Sequence, residues 1–164
     1  MKTILEAREL KVIRGGSLLV DVREMEIFEG ETLSLIGPNG AGKTTLLQAL
    51  SYLSRPSAGK ILFRGQAVGA AQNILEYRRR LAMVFQEPLL FDTTVFNNVV
   101  SGLKIRGKGG AESRQVVESQ LERFGIAHLG DRSAKTLSGG EAQRTSLARA
   151  FAISPEILFL DEPF

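Results

Sequence analysis

A glycine-rich segment in the first third of the chain has the residue types and spacing of a phosphate-binding loop. It reads Gly37-Pro38-Asn39-Gly40-Ala41-Gly42-Lys43-Thr44 and fits the pattern G-x-x-x-x-G-K-[S/T]. Residues without a Cβ let backbone N–H groups approach phosphate oxygens closely, and a helix that begins at the loop adds its positive dipole end. Lys43 can neutralise the β- and γ-phosphates, and the Thr44 hydroxyl can ligate Mg²⁺. A chance glycine-rich turn is the alternative, but the segment lies between a predicted strand and a predicted helix, so we predict a nucleotide site.

Two adjacent carboxylates follow an apolar run near the end of the sequence. The run 157–160 predicts a central parallel strand buried on both faces, and Asp161 and Glu162 come directly after it. Successive side chains of an extended chain point in opposite directions, so we expect the two carboxylates to have different roles. Asp161 suits the Mg²⁺ that accompanies a nucleotide, and Glu162 could orient or deprotonate an attacking water. A solvated acidic turn before Pro163 is the alternative.

A second glycine pair precedes another predicted helix, in the segment Leu137-Ser138-Gly139-Gly140-Glu141. Ser138 and Glu141 have the S-x-x-E spacing of a capping box, which places a helix N-terminus here. Gly139 and Gly140 leave the amides of the first turn uncovered, so the segment could bind an anion, although it contains no lysine. From these residues alone, an ordinary capped helix is the alternative.

The elements around these segments predict an α/β fold. A hairpin is predicted from 4–13 and 18–27 around the turn Arg14-Gly15-Gly16-Ser17. Further strands are predicted at 32–36, 60–63, 81–85 and 157–160, and helices at 43–52, 95–103, 111–124 and 139–153. The alternation predicts a mostly parallel sheet with helices, preceded by antiparallel strands and interrupted by a helical insert. We expect one domain over 1–164, in which 1–86 and 136–164 form the β core and 87–135 the helical subdomain.

The composition narrows the classes of function. The 164 residues contain no cysteine, which excludes disulfides and thiolate catalysis, and a net charge of +3 is too small to indicate nucleic acid as a partner. No stretch is apolar for 18 consecutive residues, and the first residues contain charges where a signal peptide would be apolar. We therefore expect a cytoplasmic domain.

Four segments together resemble the ATP-binding cassette of ABC transporters. They are GPNGAGKTT, a glutamine at Gln86 after a predicted strand, LSGGEAQR from Leu137 to Arg144, and ILFLDEP from Ile157 to Pro163. Their order and spacing agree with the family over essentially the whole chain. The resemblance implies an α/β fold with a P-loop NTPase core, ATP as the nucleotide, Mg²⁺ as its metal, and ATPase activity.

The resemblance also implies the roles of individual residues. The residues that would hold the phosphates and the magnesium are Gly37, Asn39, Gly40, Ala41, Gly42, Lys43, Thr44 and Thr45. Gln86 would contact the metal and the attacking water, Asp161 would support the magnesium, and Glu162 would be the catalytic base. The run Ser138-Gly139-Gly140 would contact the γ-phosphate bound to a partner cassette. This implies a head-to-tail homodimer that binds two nucleotides.

The sequence departs from the family pattern at two places. The position at which the family usually has an aromatic residue stacked on adenine is Arg14, whose guanidinium plane can also stack on a base. The family pattern continues beyond Phe164 with further strands and a switch histidine. We therefore expect a truncated cassette that lacks the C-terminal part of the fold and that by itself binds ATP poorly and hydrolyses it negligibly.

The segments 77–81 and 84–95 are most similar to importers of oxyanions, particularly tungstate. Phosphate, molybdate and sulfate importers remain alternatives, because the cassette does not touch the cargo. The resemblance implies a transmembrane permease subunit as partner, a solute-binding protein acting indirectly, and a location at the inner face of the membrane. The apolar run Leu89-Leu90-Phe91 suits a helix of the permease, and core packing is the alternative. A soluble ABC ATPase that acts on nucleic acid is a further alternative, but the chain has neither a coiled-coil insertion nor a second cassette, so we expect no nucleic-acid partner.

Overall fold

The computed structural model describes residues 2–162. Met1, Pro163 and Phe164 lie outside the described residues, and so does the predicted end of the cassette at Phe164. The chain divides into two compact units, residues 1–78 and residues 79–164, called here the N-terminal unit and the C-terminal unit. None of the helices in the described part of the chain is long and apolar enough to cross a membrane.

The N-terminal unit is built on an antiparallel sheet. Strands β1 (Thr3–Arg14) and β2 (Ser17–Phe28) form a hairpin, and β3 (Ala58–Phe63) pairs with β1 on its other side. The short strand β4 (Gln66–Ala67) completes the order β2-β1-β3-β4. The turn of the hairpin is made by Gly15 and Gly16, whose φ angles of 55° and 79° are those that glycine adopts most readily. The predicted hairpin is confirmed.

Two helices complete this unit, and they are joined through a buried tyrosine. Helix α1 (Lys43–Leu50) buries Leu46, Ala49 and Leu50, and helix α2 is Ile74–Arg79. The Tyr77 side chain on α2 is completely buried, and its hydroxyl donates a hydrogen bond of 2.6 Å to the carbonyl oxygen of Leu50. This bond satisfies a carbonyl at the end of α1, where the helix supplies no N–H partner. The phosphate-loop helix is therefore anchored at its far end.

The C-terminal unit combines a parallel strand pair with three helices. Strand β5 (Leu81–Val84) pairs in parallel with β6 (Ile157–Leu160). Helices α3 (Val95–Ile105), α4 (Gly110–Arg123) and α5 (Gly139–Ala152) pack around a shared apolar core. Its completely buried members are Val95, Val99, Val117, Ile126 and Ala148. Together with the antiparallel sheet, this parallel pair confirms the predicted α/β class.

Two predictions about strands are wrong. Residues 32–36 form no strand in the described part of the chain, and Ile36 is 96% exposed. A strand exists only where its backbone groups pair with a neighbour, and no described strand pairs with this segment. Strand β6 is not buried on both faces, because Leu160 at its end is 41% exposed and β5 is its one neighbour among residues 2–162.

Candidate functional site

The phosphate loop turns directly into helix α1 with its lysine at the first helical position. Gly42 is the N-cap of α1, and Lys43 is the first residue of the helix. The Lys43 ammonium donates hydrogen bonds to the carbonyl oxygens of Gly37 and Pro38 at 2.9 and 3.1 Å. The cation is thus held over the loop that precedes the helix. This is where an anion drawn to the helix N-terminus would meet it.

Gly42 must be a glycine for two independent reasons. Its φ of 86° lies in the left-handed region that side chains with a Cβ rarely adopt. A Cβ added at this position would lie 2.7 Å from the carbonyl oxygen of Leu19 and 3.3 Å from the Cγ2 of Val20. The loop therefore packs directly against the backbone of β2. Gly40 has a similar φ of 81° but faces open space.

Arg14, expected at the position of the adenine-stacking residue, makes a defined contact in the N-terminal unit. Its guanidinium donates a hydrogen bond of 2.7 Å to the Ser54 hydroxyl, just beyond the end of α1. This bond joins the end of β1 to the segment after the phosphate-loop helix. A role for Arg14 in contacting the base stays a prediction.

In the C-terminal unit, two of the expected catalytic residues meet. The Gln86 side-chain amide donates a hydrogen bond of 3.1 Å to the Glu162 carboxylate. Gln86 follows β5 and Glu162 follows β6, and the parallel register pairs Val84 with Leu160. The carboxyl ends of both strands therefore lie at one edge. Residues far apart in the sequence are brought together there by strand pairing.

Asp161 and Glu162 have different surroundings, as expected, but for a different reason. Asp161 is only 5% exposed, and its backbone N–H donates to the Val84 carbonyl oxygen at 2.9 Å, which extends the ladder by one residue. Glu162 is exposed and its φ is 45°, so the chain leaves the extended conformation at this residue. The alternating directions assumed for an extended chain do not apply to it. A local turn separates the two carboxylates.

The predicted capping box at the start of α5 is confirmed. The Glu141 carboxylate accepts hydrogen bonds from the Ser138 backbone N–H at 2.7 Å and from the Ser138 hydroxyl at 2.8 Å. The Ser138 hydroxyl oxygen in turn accepts from the Glu141 N–H at 3.4 Å. These bonds from Ser138, with a smaller contribution from the charges of Arg132 and Arg144, lower the pKa of Glu141. The N-terminus of α5 is thus capped with the help of an ionised carboxylate.

The apolar segment after Gln86 is partly exposed. Leu89 and Phe91 are 60% and 54% exposed, and Leu90 is half-buried. The Arg149 guanidinium of α5 lies 5.7 Å from the centre of the Phe91 ring, in a cation–π contact. Burial lowers the pKa of Arg149. Core packing therefore does not account for the two exposed side chains.

The sequence analysis missed a residue that shapes this segment. Asn98 on α3 is completely buried, and its side chain accepts from the Phe91 N–H at 2.8 Å and donates to the carbonyl oxygens of Phe91 and Thr94 at 3.1 and 3.0 Å. A signal for it was present. Asn98 is a polar residue within the apolar face of the predicted helix, between Val95 and Val99.

The expected site residues fall into two groups. The phosphate loop with Thr44, Thr45 and Arg14 belongs to the N-terminal unit, whereas Gln86, Ser138-Gly139-Gly140, Asp161 and Glu162 belong to the C-terminal unit. The approach of Lys43 to Asp161 therefore stays a prediction. Among the described residues, no three His, Cys, Asp or Glu side chains cluster as metal ligands, and Mg²⁺ also stays a prediction. The oxygen donors expected for it, from Thr44, Gln86 and Asp161, are of the type that magnesium prefers.

Several proteins of known function are similar to this chain. The tungstate uptake system ATP-binding protein TupC of Peptoclostridium acidaminophilum is 41% identical over 94% of this chain and 69% of its own length. The phosphate import ATP-binding protein PstB 2 of Natronomonas pharaonis is 42% identical over 90% of this chain and 56% of its own length. The cobalt import ATP-binding protein CbiO of Rhodobacter capsulatus is 40% identical over 99% of this chain and 60% of its own length. The chain therefore spans between about half and about two thirds of the length of these relatives.

A solved structure and a family model agree with these similarities. The structure of cbiO1 from Clostridium perfringens, part of the ABC transporter complex cbiONQ, superposes with a TM-score of 0.82 at 32% identity, over 98% of this chain and 65% of that chain. The family model described as ABC transporter matches residues 20–164. The match includes the phosphate loop, Gln86, the capped start of α5 and the acidic end of β6. This chain belongs to the ABC transporter family, as an ATP-binding cassette.

Proposed function

We propose that the protein is the ATP-binding and ATP-hydrolysing subunit of an importer, and that it powers the uptake of an oxyanion. The observation that carries the catalytic part of the proposal is the hydrogen bond between Gln86 and Glu162, which assembles two chemically different groups at one strand edge. The phosphate loop and the family of the chain indicate that the nucleotide is ATP.

The phosphate loop would bind the triphosphate of ATP. The Lys43 ammonium donates to the carbonyl oxygens of Gly37 and Pro38, and it would form stronger hydrogen bonds with the charged oxygens of a phosphate bound at the loop. The amides at the start of α1 point toward the same region, and the absence of a side chain at Gly40 and Gly42 keeps them accessible. Arg14 would lie against the base.

Glu162 would act as the general base toward the attacking water. The Gln86 amide orients its carboxylate through the 3.1 Å hydrogen bond, so the carboxylate is positioned before the nucleotide arrives. Magnesium, when bound, would neutralise charge on the phosphates, held by Thr44, Gln86 and Asp161. Asp161 is buried, and its backbone continues the hydrogen-bonding ladder between β5 and β6, so the backbone position from which its carboxylate extends is fixed.

The start of α5 would complete the site of a second copy of the protein. A Cβ added at Gly139 would meet nothing within 4 Å, and one added at Gly140 would meet the guanidinium of Arg144 at 3.5 Å, so a γ-phosphate could approach this turn. A single helix N-terminus without a lysine binds phosphate weakly. The start of α5 would therefore contribute to the ATP site of the partner copy, in a head-to-tail homodimer that binds two ATP molecules.

The segment 87–94, called here the docking loop, would contact the transmembrane permease. Its exposed Leu89 and Phe91 offer an apolar surface at the edge of the proposed helical subdomain, 87–135, whereas 1–86 and 136–164 form the proposed β core. The protein would then sit at the inner face of the membrane through the permease, with a solute-binding protein acting indirectly. Tungstate is the cargo we favour, and phosphate, molybdate and sulfate are the alternatives.

Nucleotide binding and hydrolysis test the first part of the proposal. We expect Mg-ATP to bind the full-length protein in calorimetry, Lys43→Ala to abolish binding, and the exposed-lysine control Lys60→Ala to leave it unchanged. Glu162→Gln keeps the size and the hydrogen-bonding capacity of the side chain, so it should bind ATP without turnover. Equal ATP binding by Lys43→Ala and Lys60→Ala would contradict the proposal.

Uptake measurements test the cargo. A strain that lacks the gene should lose uptake of labelled tungstate and regain it with the wild-type gene but not with the Glu162→Gln gene. Parallel measurements with molybdate, sulfate, phosphate and Co²⁺ separate the alternatives. Loss of Co²⁺ uptake alone would show that oxyanion import is the wrong assignment.

A further inference from the structure

Backbone hydrogen bonds join the segment that leads into α5 to the end of the docking loop and to the first residues of α3. The Val95 and Phe96 N–H groups donate to the carbonyl oxygens of Arg132 and Gly130 at 3.0 and 2.9 Å. The Ala134 N–H donates to the Thr93 carbonyl oxygen at 2.9 Å. Thr94 and Ser133 form an antiparallel bridge between these bonds. The end of the docking loop therefore cannot shift without moving residues 130–134.

The Arg132 side chain continues this connection to the start of α5. Its Nε donates to the Thr136 hydroxyl and its Nη2 to the Thr136 carbonyl oxygen, both at 3.1 Å. Its Nη1 lies 3.8 Å from the Oε1 of Glu141. The forked guanidinium thus holds the turn before Leu137 and faces the carboxylate of the capping box at the same time.

The two oxygens of the Glu141 carboxylate are divided between the two neighbours. Oε2 accepts from the Ser138 N–H and hydroxyl, whereas Oε1 faces Arg132. The direction of the carboxylate fixes the direction of the Ser138 backbone, and with it the first amides of α5. Both side chains are only partly exposed, 48% for Arg132 and 20% for Glu141.

We propose that Arg132 is a positioning residue that sets the start of α5 relative to the docking loop. This inference rests on the proposed function, because the start of α5 matters for ATP only if it completes a site in a partner copy. When the docking loop moves at the permease, its backbone hydrogen bonds move the segment 130–134, which contains Arg132. Arg132 then shifts Glu141, and Glu141 shifts Ser138 through the capping box. Arg132 itself contacts no nucleotide.

The test uses the full-length protein with Glu162→Gln, in which bound ATP is not consumed. We expect Arg132→Ala to raise the dissociation constant of the ATP-bound dimer about tenfold in analytical ultracentrifugation. The dimer contains two α5 helix starts, and each should contribute about threefold, which is the range expected for a partly exposed ionic contact. The affinity of the monomer for ATP should stay within about twofold, since the phosphate loop is not involved. Arg132→Lys keeps the charge near Glu141 but loses the fork, so it should restore part of the dimer affinity.

Arg114→Ala is the matched control. Arg114 is an arginine of the same unit, paired with Glu118 at 2.9 Å and lying 6.0 Å from the centre of the Phe96 ring, and it has no hydrogen bond or ion pair with the capping box of α5. It should leave the dimer unchanged. A dimer equally strong in Arg132→Ala and in the parent would overturn the proposal, and so would an equal weakening by Arg114→Ala or no recovery with Arg132→Lys.

Amide hydrogen exchange separates this proposal from the proposed function. Arg132→Ala should raise the exchange rates of the Ser138 and Glu141 amides, which donate the hydrogen bonds of the capping box, whether or not the protein dimerises. If the Glu162→Gln parent stays monomeric with ATP, the homodimer of the proposed function is wrong, and faster exchange in Arg132→Ala still supports the positioning role. Unchanged exchange at these amides overturns the positioning role in either case.

Discussion

Replacement of the buried Asn98 should release the docking loop without unfolding the C-terminal unit. The Asn98 side chain makes three hydrogen bonds to the loop, one from the Phe91 N–H at 2.8 Å and two to carbonyl oxygens at 3.1 and 3.0 Å. Asn98→Ala removes all three. The loop keeps its contact with Arg149, so we expect a local effect rather than global loss of structure.

The size of the effect follows from what each partner can bond to afterwards. A neutral hydrogen bond contributes about 1 kcal/mol net, so three bonds predict a loss of about 3 kcal/mol. The Thr94 carbonyl oxygen keeps the bond from the Asn98 backbone N–H at 2.9 Å, and the Phe91 carbonyl oxygen keeps the bond from the Thr93 N–H at 2.8 Å. We therefore expect a decrease of about 2 kcal/mol in the free energy of unfolding.

Asn98→Asp gives the prediction a pH dependence with a definite sign. The aspartate keeps one acceptor for the Phe91 N–H but places a second oxygen opposite two carbonyl oxygens, in a buried position. Burial and the repulsion between this oxygen and the carbonyl oxygens both raise the pKa of the new carboxyl in the folded protein above its value of about 3.9 in the unfolded chain. The folded state then binds more protons, so the deficit relative to wild type is full at about pH 7 and shrinks as the pH falls through the folded-state pKa.

Hydrogen exchange of the Phe91 amide is the direct assay, combined with urea unfolding at about pH 7 and about pH 5. Asn97→Ala is the matched control, since Asn97 precedes Asn98 on α3 and is exposed. We expect fast exchange of the Phe91 amide in Asn98→Ala and wild-type exchange in Asn97→Ala. Wild-type protection of this amide in Asn98→Ala, or a deficit of Asn98→Asp that grows on acidification, would refute the reasoning.

Three further substitutions test the elements around the site. Gly42→Ala should cost about 2 kcal/mol or more and weaken ATP binding in calorimetry, since the new Cβ would lie 2.7 Å from the Leu19 carbonyl oxygen; wild-type melting and binding would contradict this. Ser138→Ala should lower stability by about 1 kcal/mol in urea unfolding, through loss of the cap, and an unchanged midpoint would count against it. Burial and then the nearby Tyr52 raise the pKa of Tyr77 far above its usual range, so wild-type stability should fall as the pH rises above about 10. Tyr77→Phe should be less stable near neutrality because Leu50 loses its donor, but should show a weaker alkaline decline; parallel pH profiles would contradict the assignment.

The sequence by itself determined the features whose partners are close along the chain. The capping box joins Ser138 to Glu141, and the hairpin pairs Arg14 with Ser17 across two glycines. Interactions of this range depend on residue type and spacing, which a sequence displays directly. The glycine and lysine pattern of the phosphate loop is readable for the same reason.

The tertiary structure decided everything that depends on which distant segments meet. The bond between Gln86 and Glu162 joins residues 76 positions apart and exists because β5 and β6 pair in one particular register. In the sequence, Asn98 is one polar residue on the apolar face of a predicted helix. Its hydrogen bonds to the loop 87–94 are evident only in the tertiary structure. The segment 32–36 shows the converse, since its apolar pattern predicted a strand and no described strand pairs with it. Backbone groups must be satisfied by partners, and a strand's partners lie elsewhere in the chain, so its existence is not a local property of its sequence.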